Sequence, residues 1–271
     1  MGAIRPRAGA AVKPVITMNI CVCVKQIPDP NNPYELSGTR LKRDVAQNVL
    51  DPGDEFGVEA ALQLTEASGG EVTVVCMGPE KAMEAVRRAL SMGAHKGILV
   101  TDAALENADA LVTARVLSKA IERAGADLVI AGVESTDGYT GTVPGTLAEM
   151  LGLPQATFAK KLEVKDGALH IERQTEKGYD DVETSLPAVV TVTAGVNEPR
   201  YPTFKGIMQA KSKPVEQLSV ADLGLSADDV KPTQTVANVE AAPARGAGEK
   251  FEDDGTGAAK IAEFLKSAKV I

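Results

Sequence analysis

Residues 127–154, DLVIAGVESTDGYTGTVPGTLAEMLGLP, constrain the fold more than any other stretch of the chain. They open on the apolar run Leu128, Val129, Ile130 and Ala131, short enough for a strand buried on both faces. A loop of small and polar residues follows: Gly132, Val133, Glu134, Ser135, Thr136, Asp137, Gly138, Tyr139, Thr140, Gly141 and Thr142. Val143 then begins a helical pattern, with Leu147, Met150 and Leu151 on the same face. A strand feeding a small-residue loop and then a helix N-terminus suits an anion, because bare amides can converge on it and the helix dipole favours its charge. Gly138 and Gly141 let the backbone come close, and Ser135, Thr136, Thr140 and Thr142 offer hydroxyls. No lysine follows the loop, so it is not a phosphate loop of the G-x-x-x-x-G-K-[ST] type. The same pattern also serves as an ordinary turn between strand and helix.

Upstream, strand and helix patterns alternate. Residues 19–25 read as a strand, 28–51 as a polar connection with several prolines, and 54–67 as an amphipathic helix. A strand at 71–77, a helix at 80–92 and a short strand at 97–100 follow, and Asp109 is placed to cap a helix reaching Arg123. Repeated βα units predict a doubly wound, mostly parallel α/β sheet with helices on both faces. Ligands of such sheets sit beyond the C-terminal ends of the strands, where the strand order switches. The pieces expected to meet there are the end of the first strand (Cys23 to Gln26), residues 51–54, the end of the second strand at Met77, and the 132–143 loop. After Pro154 the pattern changes to alternation, with Asp166-Gly167 as the turn of an antiparallel hairpin. Residues 212–250 read as an irregular arm and 257–268 as a last helix. The expected organisation is a disordered extension over 1–17, a nucleotide-binding α/β domain over 18–211 and a C-terminal arm and helix over 212–271.

Composition excludes several classes of function. The formal net charge is −8, which argues against a nucleic-acid partner, and tryptophan is absent, so no stacking platform is evident. No apolar run approaches the roughly 20 residues of a membrane helix, so no direct membrane insertion is expected. Three cysteines, Cys21, Cys23 and Cys76, point to a reducing compartment rather than a disulfide framework. Cys21 and Cys23 share a strand face and read as core residues; C-x-C without further ligands is a weak metal signal. His95 and His170 read as structural or surface residues, and Tyr139 as a loop-packing residue. Residues 1–17 are basic and proline-containing, consistent with an extension before Met18 or a weak transit peptide.

Three segments together carry a resemblance: VESTDGYTGTVPG, the charged hairpin IERQTEKGYDDVETSLPAVVTVT, and NEPRYPTFKGIMQAKSK at 197–213. With the opening VCVKQIPD they resemble the β subunit of electron transfer flavoprotein from about Met18 to Ile271. NEPRYPTFKGIM is the most diagnostic, since no general structural need is evident for it. The resemblance implies a sheet of the adenine-nucleotide α-hydrolase type and a heterodimer with an α subunit that holds most of the FAD. It implies an AMP without redox role in this subunit, and no substrate turnover of its own. Electrons would come from acyl-CoA dehydrogenases, as in fatty acid β-oxidation, and pass to a membrane-bound quinone oxidoreductase. The implied location is the bacterial cytoplasm or, alternatively, the mitochondrial matrix.

Carried onto this sequence, the AMP contacts fall on Cys23, on Asp51, Pro52, Gly53 and Asp54 (where the family usually has Asn-Pro-Phe), on Met77, and on Gly132 to Val143, with Asp137 to Thr142 nearest the phosphate. An Asp at 51 keeps the acceptor and loses the amide donor. The dehydrogenase anchor falls on Phe204, flanked by Pro202, Thr203, Lys205, Ile207 and Met208. A buried aromatic anchor suits a shuttle that must let go. Lys205, Lys211 and Lys213 are expected to add steering. The family's hairpin acid falls on Gln174, with Glu172 or Glu176 as substitutes. Three rivals stay open: a bifurcating flavoprotein with a second FAD in place of AMP, a stand-alone nucleotide-binding stress-type protein, and an ATP-pyrophosphatase-like enzyme. The loop ending Thr142-Val143-Pro144 favours AMP over a second FAD, and Lys25-Gln26-Ile27-Pro28 is not the loop that ATP chemistry wants.

Overall fold

The computed structural model describes residues 17–271 except 44, 46, 241–247, 249 and 251. The expected extension over 1–17 therefore lies, save for Thr17, outside the described residues. In chain order the elements are β1 (Met18–Cys23), β2 (Gln26–Pro28), β3 (Leu36–Ser37), β4 (Arg40–Leu41), β5 (Asn48–Leu50), α1 (Pro52–Ser68), β6 (Gly70–Met77), α2 (Met83–Met92), β7 (Lys96–Val100), α3 (Ala110–Ala124), β8 (Leu128–Gly132), α4 (Val143–Leu151), β9 (Gln155–Lys165), β10 (Ala168–Thr175), β11 (Gly178–Ser185), β12 (Ala188–Val192), α5 (Phe204–Ala210), β13 (Val215–Leu218) and α6 (Gly257–Ser267). They fall into two compact units, one ending at Val236 and one from Ala237 to Ile271.

The first unit is built on a nine-stranded sheet in the order β11-β10-β9-β12-β8-β1-β6-β7-β13. Every pairing from β9 to β13 is parallel, and only β9–β10 and β10–β11 are antiparallel. This is the α/β sheet with antiparallel extension that the βα periodicity predicts. Alternation along the strands splits the core in two. Ile20, Val22, Val74, Ile130 and Val190 pack with α1 and α2 on one face, while Cys21, Val75, Val129 and Val189 pack with α3 and α4 on the other. Both faces are thereby sealed, which is why the central strands read as continuous apolar runs. From β1 the chain winds through β6 and β7, then returns to β8 on the opposite side of β1. The switch in strand order thus lies between the C-terminal ends of β1 and β8, where the sequence places the ligand crevice.

Three local readings change. Residues 215–218, read as part of an irregular arm, form β13, which pairs in parallel with β7 through Val215↔Gly97 and Leu218↔Val100. The polar connection over 28–51 contains two short ladders, β2–β5 and β3–β4. The first helix starts at Pro52, two residues earlier than its apolar pattern, because Asp51 caps it and proline suits the first helical position. The hairpin turn is as expected: Asp166 and Gly167 both have positive φ, +52° and +84°.

The second unit holds α6. Its Ile261 and Phe264 are exposed, at 54% and 66% of their full area.

Candidate functional site

At the switch point stands Asp51. This carboxylate is fully buried. It caps α1 by accepting from the Gly53 amide at 2.9 Å. It also accepts from the Thr136 amide and the Thr136 hydroxyl, both at 2.7 Å. One side chain therefore fixes both the N-terminus of α1 and the loop after β8. The residue expected to offer an acceptor to a ligand has its oxygens engaged within the protein.

Asp54, one turn into α1, is 7% exposed and accepts from the Lys25 amide at 2.8 Å. Burial, with the nearby Asp51 charge adding to it, pushes its carboxyl well above the ordinary carboxylate range. Its Oδ1 lies close under Gly132, 3.2 Å from where a Cβ there would stand. Together Asp51 and Asp54 tie three chain segments at the switch point.

The 132–142 loop is held from its other side by cations. The Asp137 side chain is fully buried and pairs with Lys25 at 2.7 Å and with Arg43 at 2.5 Å. Lys25 Nζ also donates to the Ser135 hydroxyl at 3.2 Å. Burial pushes the Asp137 carboxyl up, but Lys25 and Arg43 outweigh it and hold it below the usual range. Asp137 is thus an internal counter-ion, in a loop where the sequence had put it among the residues nearest an anion. Lys25 lies in the Cys23 to Gln26 segment expected at this point, whereas Arg43 is not among the expected residues. Arg43 sits in the long polar connection, where no periodicity marks it, and both pair across the fold.

The loop folds back on itself, with the Gly138 and Tyr139 amides donating to Ser135 O. A Cβ on Gly138 would stand 2.9 Å from Ser135 Oγ, so only glycine fits this turn without a shift. Gly141 has φ +61°, the left-handed region that glycine adopts freely. Tyr139 also has positive φ, +48°, and is 65% exposed; it does not pack into the loop as expected. Thr142 caps α4 without a side-chain hydrogen bond, and Pro144 occupies its first turn. Among the described residues, the amides of Thr140, Gly141, Thr142 and Val143 have no hydrogen-bond partner. Those four donors stand at the N-terminus of α4, where the helix dipole favours negative charge.

Cys23 ends β1 level with Val75, partly buried, and burial raises its thiol far above the ordinary range. Met77 ends β6, half-buried against the α3 side of the core. Cys23, residues 51–54 and the loop converge as the sequence predicts, joined by Lys25. The cysteine readings are consistent with the packing: Cys21 and Cys76 are buried, with thiols pushed up to about 12 by burial. His95 accepts from the Val72 amide through Nδ1 at 3.0 Å, a structural contact.

The 197–213 segment forms a second, separate surface. Asn197 Nδ2 donates to Phe56 O at 3.0 Å, and Arg200 bridges the buried Glu59 and the exposed Glu66 of α1. Thr203 caps α5 by accepting from the Gly206 amide at 3.0 Å. Gly206 lies so close to α2 that a Cβ would stand 2.5 Å from Ser91 O. Several residues of NEPRYPTFKGIM therefore have structural duties, contrary to the expectation that none would explain them. What remains outside is apolar: Tyr201 and Phe204 are 88% and 82% exposed, and Ile207 and Met208 about half. Lys213 does not join the steering lysines. Its Nζ donates to Leu90 O and Ala94 O, capping the C-terminal end of α2, and burial lowers its pKa. Gln174 pairs across the hairpin with Tyr179, and Glu172 is held by Lys161 at 3.0 Å.

Comparison with known proteins places these features in a family. The family model described as the electron transfer flavoprotein domain matches residues 40–223. The chain is 43% identical over 264 residues to the electron transfer flavoprotein subunit beta of Mycobacterium tuberculosis (strain ATCC 25618 / H37Rv), covering 93% of this chain and 99% of that protein. It is 39% identical over 226 residues to the same subunit of Thermoanaerobacterium thermosaccharolyticum, covering 81% and 87%. It is 34% identical over 257 residues to that of Bacillus subtilis (strain 168), covering 94% and 100%.

Proposed function

The chain belongs to the electron transfer flavoprotein family as a β subunit, and from that premise we propose that it is the non-reacting half of an electron-carrying heterodimer, with AMP in the crevice between β1 and β8. The observation that carries the AMP reading is the row of unpartnered amides from Thr140 to Val143 at the N-terminus of α4. A nucleotide monophosphate fits such a row, and the left-handed Gly141 turns the backbone onto it. Asp51 and the Lys25–Asp137–Arg43 cluster hold the loop in shape before any ligand arrives. The AMP supplies no redox chemistry; the reacting FAD belongs mainly to the α subunit, and this chain turns over no substrate of its own.

The exposed Ile261 and Phe264 of α6 are an apolar stripe suited to docking on α. Phe204, with Pro202, Thr203, Lys205, Ile207 and Met208 around it, is the surface for acyl-CoA dehydrogenases. From there electrons pass through the α-bound flavin toward a quinone oxidoreductase. Among the described residues no helix is long and apolar enough to cross a membrane. The test is mass spectrometry of the small molecules released on denaturing the co-purified α–β complex. One FAD and one AMP per complex is the expected result. Two flavins and no AMP would transfer the chain to the bifurcating type, and no nucleotide at all would overturn the site.

A further inference from the structure

We propose that Glu134 is a specificity-determining residue that restricts this crevice to a nucleoside monophosphate against the di- and triphosphates. The inference rests on the reading of the 132–143 loop as a nucleotide site and adds a selectivity to it.

The acids around the crevice are not equivalent. Asp51 has three donors on its carboxylate, Asp137 has two cations, and Asp54 is driven toward its neutral form by burial. Glu134 is different. It is exposed, and among the described residues its carboxylate has neither an ion pair nor a hydrogen bond. Its backbone packs at the switch point: its carbonyl oxygen lies 3.7 Å from a Cβ placed on Gly132 and 4.0 Å from one placed on Gly53. From there the side chain reaches toward Gly141, and Oε2 comes within 3.5 Å of a Cβ placed on that residue. A negative charge without a partner thus stands beside Gly141, the second residue in the row of free amides.

One phosphate seated on those amides has its charge met by four N–H groups and the helix dipole. A second or third phosphate must extend outward from that seat. The cations that hold this loop, Lys25 and Arg43, are already turned onto Asp137. What it meets is Glu134. A like charge near that path, at a dielectric between that of a protein surface and water, disfavours each added phosphate by on the order of tenfold.

The experiment is displacement of labelled AMP from the purified α–β complex by AMP, ADP and ATP, for the wild type and for Glu134→Gln, which keeps shape and removes charge. In the wild type, ATP should compete at least tenfold less well than AMP, and the gap should narrow as salt is raised. In Glu134→Gln the gap should shrink by about tenfold at low salt and lose most of its salt dependence. A wild type that discriminates equally in Glu134→Gln would overturn the role of Glu134 while leaving the nucleotide site standing. A wild-type complex that holds no labelled AMP would overturn both. Because the salt titration needs no substitution, it tests the charge independently of how the variant folds.

Discussion

Asp51 accepts from both the amide and the hydroxyl of Thr136, 85 positions away, at 2.7 Å each. The contact makes the cap of α1 and the shape of the loop after β8 a single structural event. Replacing Asp51 by alanine removes a helix cap worth about 1 kcal/mol and leaves the half-buried Thr136 donors without an acceptor, at roughly 1–3 kcal/mol. Asp51→Ala should therefore lose about 3 kcal/mol in urea unfolding. Asp51→Asn, which can still accept through one oxygen, should lose about half of that. AMP retention should fall in the same order. A loss below 1 kcal/mol for Asp51→Ala would separate the cap from the loop.

Asp54 gives the pH dependence a definite sign. Its folded carboxyl is raised, so between the unfolded value of about 3.9 and the folded value the native state binds more protons than the unfolded chain. Stability then falls as pH rises through that window and stays lowered above it. Asp54→Asn preserves the acceptor for the Lys25 amide and has no proton to lose. Denaturant curves from pH 4.5 upward should show Asp54→Asn gaining on the wild type by about 1.4 kcal/mol per unit of pH until the folded group has titrated. Parallel profiles for the two proteins would mean that Asp54 does not titrate in this range.

What could be read in the sequence was local. Asp109 was legible as a cap because it immediately precedes an apolar periodic stretch, and its Oδ1 does accept from the Val112 amide at 2.9 Å. Its other oxygen takes the Thr233 amide and hydroxyl, 124 positions on, and no spacing announces that. β13 was missed for a related reason. Val215, Glu216, Gln217 and Leu218 form an edge strand with mixed exposure, so neither alternation nor an apolar run marks them; β7 supplies the order. In the crevice, the glycines and hydroxyls of the loop were legible by type, and the location by the switch in strand order. The division of labour was not. Asp51 and Asp137 entered the expected site through the family resemblance, which gives positions and not hydrogen-bond partners. Only the fold shows their oxygens turned onto Gly53, Thr136, Lys25 and Arg43.

Phe204 and Gly206 lie two residues apart on α5 and should fail in different ways. Phe204 is 82% exposed, so truncating it removes almost no internal packing. Phe204→Ala should leave the denaturation midpoint unchanged and raise the apparent KM of the acyl-CoA dehydrogenase for this acceptor by roughly 30-fold, the size of an aromatic hot spot. Gly206→Val instead drives a side chain into Ser91 O, and α5 must lift from α2. It should cost about 1–3 kcal/mol of stability, the usual range for overpacking, and raise KM as well. An unaltered KM for Phe204→Ala would remove the anchor from this helix.

Arg43 and Asp137 join the polar connection after β1 to the loop after β8, and here the pH argument runs opposite to that for Asp54. Although burial alone would raise the Asp137 carboxyl, Lys25 and Arg43 hold it below the usual range. Its stabilisation is therefore complete above about pH 3.9 and is lost as pH falls through the lower, folded value. The two cations are partly solvated, with 37% and 43% of their side chains exposed, so water weakens each pair. A double-mutant cycle of Arg43→Gln and Asp137→Asn at pH 7 should give a coupling of about 1 kcal/mol. Either single variant should speed hydrogen exchange at the Gly138 and Tyr139 amides, whose bonds to Ser135 O close the loop, because the loop loses one of its two clamps. In the AMP-loaded α–β complex the same variants should release nucleotide faster, while Asp137→Asn flattens the acid limb of the stability profile. A coupling indistinguishable from zero, with unchanged amide exchange, would mean that Asp51 alone shapes the loop.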